Sequence, residues 1–189
     1  MNISQFFSDA GQVLRLRFRE AGEYHYPLPL CLAVLAAVGA VQTPAAVPFF
    51  GSGHATLAFI MLLSLLRCVL LARTMSAVLA YFGGTRLPLF GYSVLTEALI
   101  LPIVLVFYLP QTAPVWVFWL SWIFWVQCIG FYHIGKQGAG KVLLGYLAYF
   151  VVAMIAGSLL LSLFIMAGWF DLAVLEENMK IINTPKPKL

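Results

Sequence analysis

The sequence predicts an all-α, polytopic integral membrane helix bundle, with about five transmembrane helices and an N-terminal amphipathic interfacial helix. Three observations predict it. Of the 189 residues, 62% are hydrophobic and only 10% charged, with a mean hydropathy of +0.95; soluble domains are about half apolar and a quarter charged. The apolar residues gather in runs of the length a helix needs to cross about 30 Å of hydrocarbon. The basic residues are scattered between those runs, as topology signals are, rather than clustered as a ligand footprint.

Residues 1–26 form the arm. Ile3, Phe6, Phe7, Val13 and Leu14 share one helical side, and Arg15, Arg17 and Arg19 crowd the end nearest the first span. Such a segment lies in the headgroup layer with its arginines toward anionic lipid. A short helix docked on the bundle is the alternative. Asp9 and the arginines interrupt any signal-peptide pattern.

Residues 27–170 form the membrane domain, with spans expected at about 27–49, 55–82, 92–109, 114–131 and 142–170. Pro44 and Pro48 should break the first, which then either tilts across or continues as a re-entrant piece. The second carries Arg73 as an interfacial anchor and Arg67 one or two turns deeper. Pro102 should kink the third. Trp116, Trp119, Trp122 and Trp125 step through more than two turns of the fourth, too far along the axis for a single interfacial belt, so they serve packing or face lipid. Ala153 and Gly157, four apart in the fifth, permit close helix approach. The tail, 171–189, is amphipathic to Ile182, and its Pro- and Lys-containing end should fray.

Orientation follows from Lys and Arg placement. Arg15, Arg17 and Arg19 precede the first span, Arg73 and Arg86 flank the link after the second, and Lys136 and Lys141 lie after the fourth. Five spans with the N-terminus cytoplasmic and the C-terminus periplasmic satisfy that pattern.

Several function classes lose support. Cys31, Cys68 and Cys128 lie inside apolar runs without metal-ligand or disulfide spacing. His133 has no second ligand three or four residues away. Gly135–Lys141 fits a phosphate-loop string, yet Val142 stands where magnesium needs Ser or Thr, and an apolar helix precedes it. No catalytic constellation, metal site, cofactor site or nucleic-acid patch is expected. The charges well inside spans are Arg67 and Glu97, on consecutive antiparallel helices. Because an unpaired charge in hydrocarbon is costly, the reading is a bridge between the second and third spans lining a polar crevice; the alternatives are a purely structural pair, or two side chains that snorkel separately.

The order of features after the second span carries a resemblance. Phe82-Gly83-Gly84-Thr85-Arg86 is followed by Phe90-Gly91-Tyr92-Ser93 and then by Leu101-Pro102; Trp119 to His133, Gly135 and Lys141 come next. This resembles the Yip family of Rab-interacting membrane proteins, in its bacterial branch, over roughly Leu57 to Phe164. The resemblance implies five helices, a cytoplasmic N-terminus and a bundle without a catalytic centre. It carries no Rab partner to a bacterial-looking chain.

The expected role is a non-enzymatic membrane-organising or scaffold subunit of a bacterial inner membrane. It would contact lipid, anionic at the cytoplasmic face, through Arg15, Arg17, Arg19, Arg73, Arg86, Lys136 and Lys141, with a membrane-protein partner or a second copy of itself. The alternative is a small transporter, channel or lipid-translocating protein with Arg67 and Glu97 lining its path.

Overall fold

The structure is a computed structural model that describes residues 3–183. Eight helices make it up: α1 (Ile3–Leu14), α2 (Leu28–Phe50), α3 (His54–Tyr81), α4 (Phe90–Ala98), α5 (Leu105–Tyr108), α6 (Ala113–Gly135), α7 (Ala139–Met166) and α8 (Leu172–Asn183). No strand occurs among the described residues. Helices α2, α3, α6 and α7 are each long and apolar enough to cross a membrane.

Helices α2 and α3 form an antiparallel hairpin about the turn at Gly51–Gly53, and α7 packs on the other side of α3. Gly39 lets the hairpin close tightly: a Cβ there would lie 2.6 Å from the Met61 Cα. That register sets Arg73 level with the first residues of α2. Arg67 lies about 9 Å deeper at 1.5 Å per residue.

Contrary to expectation, Pro44 and Pro48 do not break α2, which runs unbroken to Phe50. The Thr43 hydroxyl donates to the Gly39 carbonyl (3.0 Å), and the Thr56 hydroxyl donates to the Gly51 carbonyl (2.8 Å) just past the helix end. Neither bond replaces those that Pro44 and Pro48 remove, at the Ala40 and Pro44 carbonyls; α2 stays whole while packed on α3, its main neighbour.

The expected third span, 92–109, needs a larger correction. It is no continuous helix: α4 ends at Ala98, a 3₁₀ turn covers Leu101–Val104, and α5 adds one turn. Pro102 has no N–H for the Ala98 carbonyl and its ring crowds that turn. The backbone tightens to shorter bonds instead, Leu99 N–H to the Thr96 carbonyl (3.2 Å) and Ile100 N–H to the Glu97 carbonyl (3.1 Å). The broken segment still runs antiparallel to α6, with Tyr92 beside Val126 and the Trp119 indole donating to the Leu99 carbonyl (3.0 Å).

Helix α6 extends four residues past its expected end, to Gly135, and α7 starts three residues earlier and ends four residues earlier than expected. The ends of the bundle differ. At one, α1 and the following turn dock on α4 and α6. At the other, Phe50, Phe59, Phe164 and Phe170 form an aromatic cluster with ring centroids 5.1–5.6 Å apart. There the Asn178 amide of α8 donates to the Phe49 carbonyl (3.2 Å). Residues 184–189, where the tail was expected to fray, lie outside the described residues.

Candidate functional site: a buried polar layer beneath a basic rim

Helix α4 is the centre of the site. Its eight residues from Gly91 to Ala98 are all buried, and Tyr92, Ser93, Thr96 and Glu97 are among them. Glycine makes this possible at two points. A Cβ on Gly91 would collide with the Tyr24 carbonyl, and one on Gly130 of α6 with the Tyr92 hydroxyl. The Tyr92 hydroxyl donates to the Val126 carbonyl (3.0 Å), so the Gly130 notch seats a side chain that ties α4 to α6.

One turn deeper, a hydrogen-bonded chain joins three helices. The Gln127 amide donates to the Thr96 hydroxyl (2.9 Å), the Thr96 hydroxyl donates to the Ser93 carbonyl (3.0 Å), and the Tyr146 hydroxyl of α7 donates to the Gln127 amide oxygen (2.9 Å). In hydrocarbon, with no water to substitute, such bonds hold helices in register. The Ser93 hydroxyl is buried beside this chain without a hydrogen-bond partner.

Arg67 and Glu97 lie next to that layer. The Tyr149 hydroxyl and the Glu97 carboxylate are the polar groups Arg67 feels most. The expected direct bridge is not formed: among the described residues no ion pair within 4.0 Å engages either charge. Arg67 instead opens on a groove of about 500 Å³ between α3 and α7, lined by Leu63, Tyr149, Ala153 and Gly157. Ala153 and Gly157 thus flank a lipid-facing groove; a Cβ on Gly157 would make only ordinary contact, 3.7 Å from Leu63.

The other sequence candidates gather at the arm end. Gly83, at φ +90°, and Gly84 turn the chain out of α3. Gly84, His133 and Lys136 line an open cleft of about 1060 Å³, with Arg17 and Arg19 across from them. His133 stacks on Phe18 with ring centroids 5.5 Å apart. Lys136 pairs with Glu20 (3.4 Å), both exposed, and Lys141 donates to the Phe82 carbonyl (3.1 Å) and the Gln137 amide oxygen (2.6 Å). Arg73 and Arg86 line a separate groove. Arg15 and Arg17 are exposed.

The arm itself is clamped. Asp9, 2% exposed, faces the Arg19 guanidinium at 3.1 Å and accepts a hydrogen bond from the Tyr26 hydroxyl (3.0 Å). Its Oδ1 approaches Arg19 outside hydrogen-bond geometry, so charge rather than an aligned bond holds it. The Tyr24 hydroxyl accepts from the Arg19 backbone N–H (3.0 Å). Burial pushes the Tyr24 hydroxyl above the ordinary phenol range, and burial together with donation to Asp9 pushes Tyr26 well above it. Arg19 therefore serves the arm's own fold, which sets it apart from Arg15 and Arg17.

Sequence reasoning missed Asp9, Thr96, Gln127, Tyr146 and Tyr149. Asp9 carried a signal, an acid midway along an amphipathic helix. Thr96, Gln127 and Tyr146 form pairs 31 and 19 residues apart, and Tyr149 neighbours the distant Arg67, which no local spacing reveals.

The fold and this layer define a multi-pass helical membrane protein held together by interior polar contacts. The chain matches no family model, no curated protein and no solved structure.

Proposed function

We propose that this protein is a non-enzymatic, membrane-organising or accessory subunit of a bacterial inner membrane, Yip-like in plan, with its arm end in the cytoplasm. One observation carries the proposal: a polar layer inside the bundle is hydrogen-bonded within itself, while most of the basic side chains gather at the arm end. Thr96, Gln127 and Tyr146 bond among themselves, whereas Arg17, Lys136, Arg73 and Arg86 line open clefts at the arm end. A basic rim at the cytoplasmic face attracts anionic lipid, at about 1 kcal/mol per Lys or Arg near the surface. The placement of Lys and Arg supports this orientation.

The second reading, a transporter or lipid-translocating protein, draws on Glu97 and Arg67. Glu97 is 8% exposed and no ion pair engages it among the described residues, while Arg67 opens sideways on the α3–α7 groove.

Reconstitution separates the two. Vesicles containing the purified protein should show no ion flux and no lipid scrambling above protein-free vesicles, while mild-detergent purification should retain a stoichiometric protein partner or a bound anionic lipid. Flux or scrambling that disappears in Arg67→Leu and Glu97→Leu would instead establish the transport reading.

A further inference from the structure

The groove of about 620 Å³ between α3 and the start of α4 is lined by Val69, Ala72, Arg73 and Ser76 on one wall and by residues 86–90 on the other. Its two charges are both arginines, and both are exposed. The acids whose side chains are described are placed elsewhere. Asp9 and Glu23 face Arg19, Glu20 faces Lys136, Glu97 is the acid that Arg67 feels, and Asp171 and Glu176 belong to the opposite end. Among the described residues no ion pair engages Arg73 or Arg86.

The loop that carries Arg86 is held in place. The Ser76 hydroxyl donates to the Leu87 carbonyl (2.9 Å), and the Leu87 N–H donates back to the same hydroxyl (3.1 Å). Pro88, the next residue, fixes its own φ. Arg86 thus projects from a loop tied to the helix that carries Arg73. The groove also has a direction: Arg73 is level with the start of α2, Val69 lies one turn deeper in the membrane, and Phe90 forms an apolar wall.

We infer that this groove is a binding site for one anionic phospholipid of the leaflet at the arm end, with its phosphate between Arg73 and Arg86 and an acyl chain descending past Val69 and Phe90. This rests on the membrane-organising reading above and locates its lipid contact. Guanidinium groups suit phosphate oxygens because their paired N–H donors match them. The groove holds two positive charges and no acid to receive an ammonium, which favours a headgroup with net negative charge over a zwitterionic one.

The test is native mass spectrometry of the full-length protein in mild detergent, titrated with phosphatidylglycerol, phosphatidylcholine or inorganic phosphate. The wild type should hold one phosphatidylglycerol in preference to phosphatidylcholine. Arg86→Gln, in an exposed loop, should weaken that binding about fivefold, and Arg73→Gln/Arg86→Gln roughly twentyfold. Lys180→Gln, on α8 at the opposite end of the bundle, should leave it within about twofold of wild type. Unchanged binding in Arg86→Gln, equal loss in the Lys180 variant, or displacement of the lipid by equimolar phosphate would each overturn the assignment. Vesicle flux would sink the membrane-organising reading without altering this measurement, so the two failures are distinguishable.

Discussion

Helices α4 and α7 invert the usual relation between hydropathy and burial. Helix α7 is 28 residues of strongly apolar sequence, yet only 6% of its most apolar window is buried. Helix α4 is nine residues with Tyr, Ser, Thr and Glu in it, and all but its first residue are buried. Lipid is as good a solvent for Leu and Phe as a protein core, so apolar side chains gain little by turning inward. Polar ones gain a great deal, because a bundle interior holds the available hydrogen-bond partners. The short polar helix is therefore the core, and the long apolar one is the wrapping.

The sharpest way to break that comparison is to add one methyl group to each helix. Gly91→Ala forces a Cβ into the Tyr24 carbonyl, a backbone group that cannot swing aside. It should cost about 3 kcal/mol in thermal or denaturant unfolding in detergent. Gly157→Ala in α7 meets only Leu63 at 3.7 Å and should be neutral or slightly stabilising, by up to about 1 kcal/mol. Equal effects at the two sites would mean that α4 is not packed as described.

Next in size is the charge pair beside α4. Arg67→Leu and Glu97→Leu should each lower stability by about 2 kcal/mol, because each leaves the opposite charge in a low-dielectric site. The double variant should cost less than the sum of the two. Simple additivity in that cycle would show that the charges do not act as a unit. Their separation, beyond ion-pair contact, makes the expected coupling smaller than a bridge would give.

The two helices also differ in how far they could be read in advance. Hydropathy located α7, α3, α6 and α2 within a few residues, since long apolar runs are the direct signature of lipid exposure. It overran α4, because Leu99–Tyr108 continues the apolar pattern past a proline whose effect is a change of backbone class rather than a gentle kink. The Arg67–Glu97 neighbourhood was legible, since charges inside apolar runs stand out. The Thr96–Gln127–Tyr146 chain was not: each residue is unremarkable in its own helix, and only the packing of α4, α6 and α7 brings them together. Asp9 read merely as an interruption, although an acid that faces the bundle needed a cation such as Arg19 nearby.

That chain supplies the third test. Gln127→Leu removes the amide that bonds Thr96 and Tyr146 at once and should cost about 1–2 kcal/mol; Tyr146→Phe removes one bond and should cost about 0.6 kcal/mol. Once Gln127 is Leu, adding Tyr146→Phe should cost almost nothing, a shortfall readable in a four-variant unfolding series. Full additivity would sever α7 from the polar core and leave it as wrapping alone.

The smallest effect concerns the arm that covers α4. The arm's Tyr24 lies against Tyr92 of α4, ring centroids 5.5 Å apart, and Tyr26 keeps the arm closed by donating its hydroxyl proton to Asp9. The Tyr26 pKa is raised in the folded protein, first by burial and then by that hydrogen bond. A raised pKa means the folded state holds the proton more tightly than the unfolded chain does. Its contribution is fully present below the unfolded value, about pH 10 for tyrosine, and is lost as pH rises from there toward the folded value. The contribution of Tyr26 to stability should therefore hold flat to about pH 10 and then fall. In Tyr26→Phe the decline should be shallower, starting from a baseline already lowered by about 1 kcal/mol for the missing bond. Hydrogen exchange read by mass spectrometry above pH 10 should show α1 and the start of α4 opening before α7. Simultaneous opening of α7 would mean that the arm does not guard the buried helix selectively.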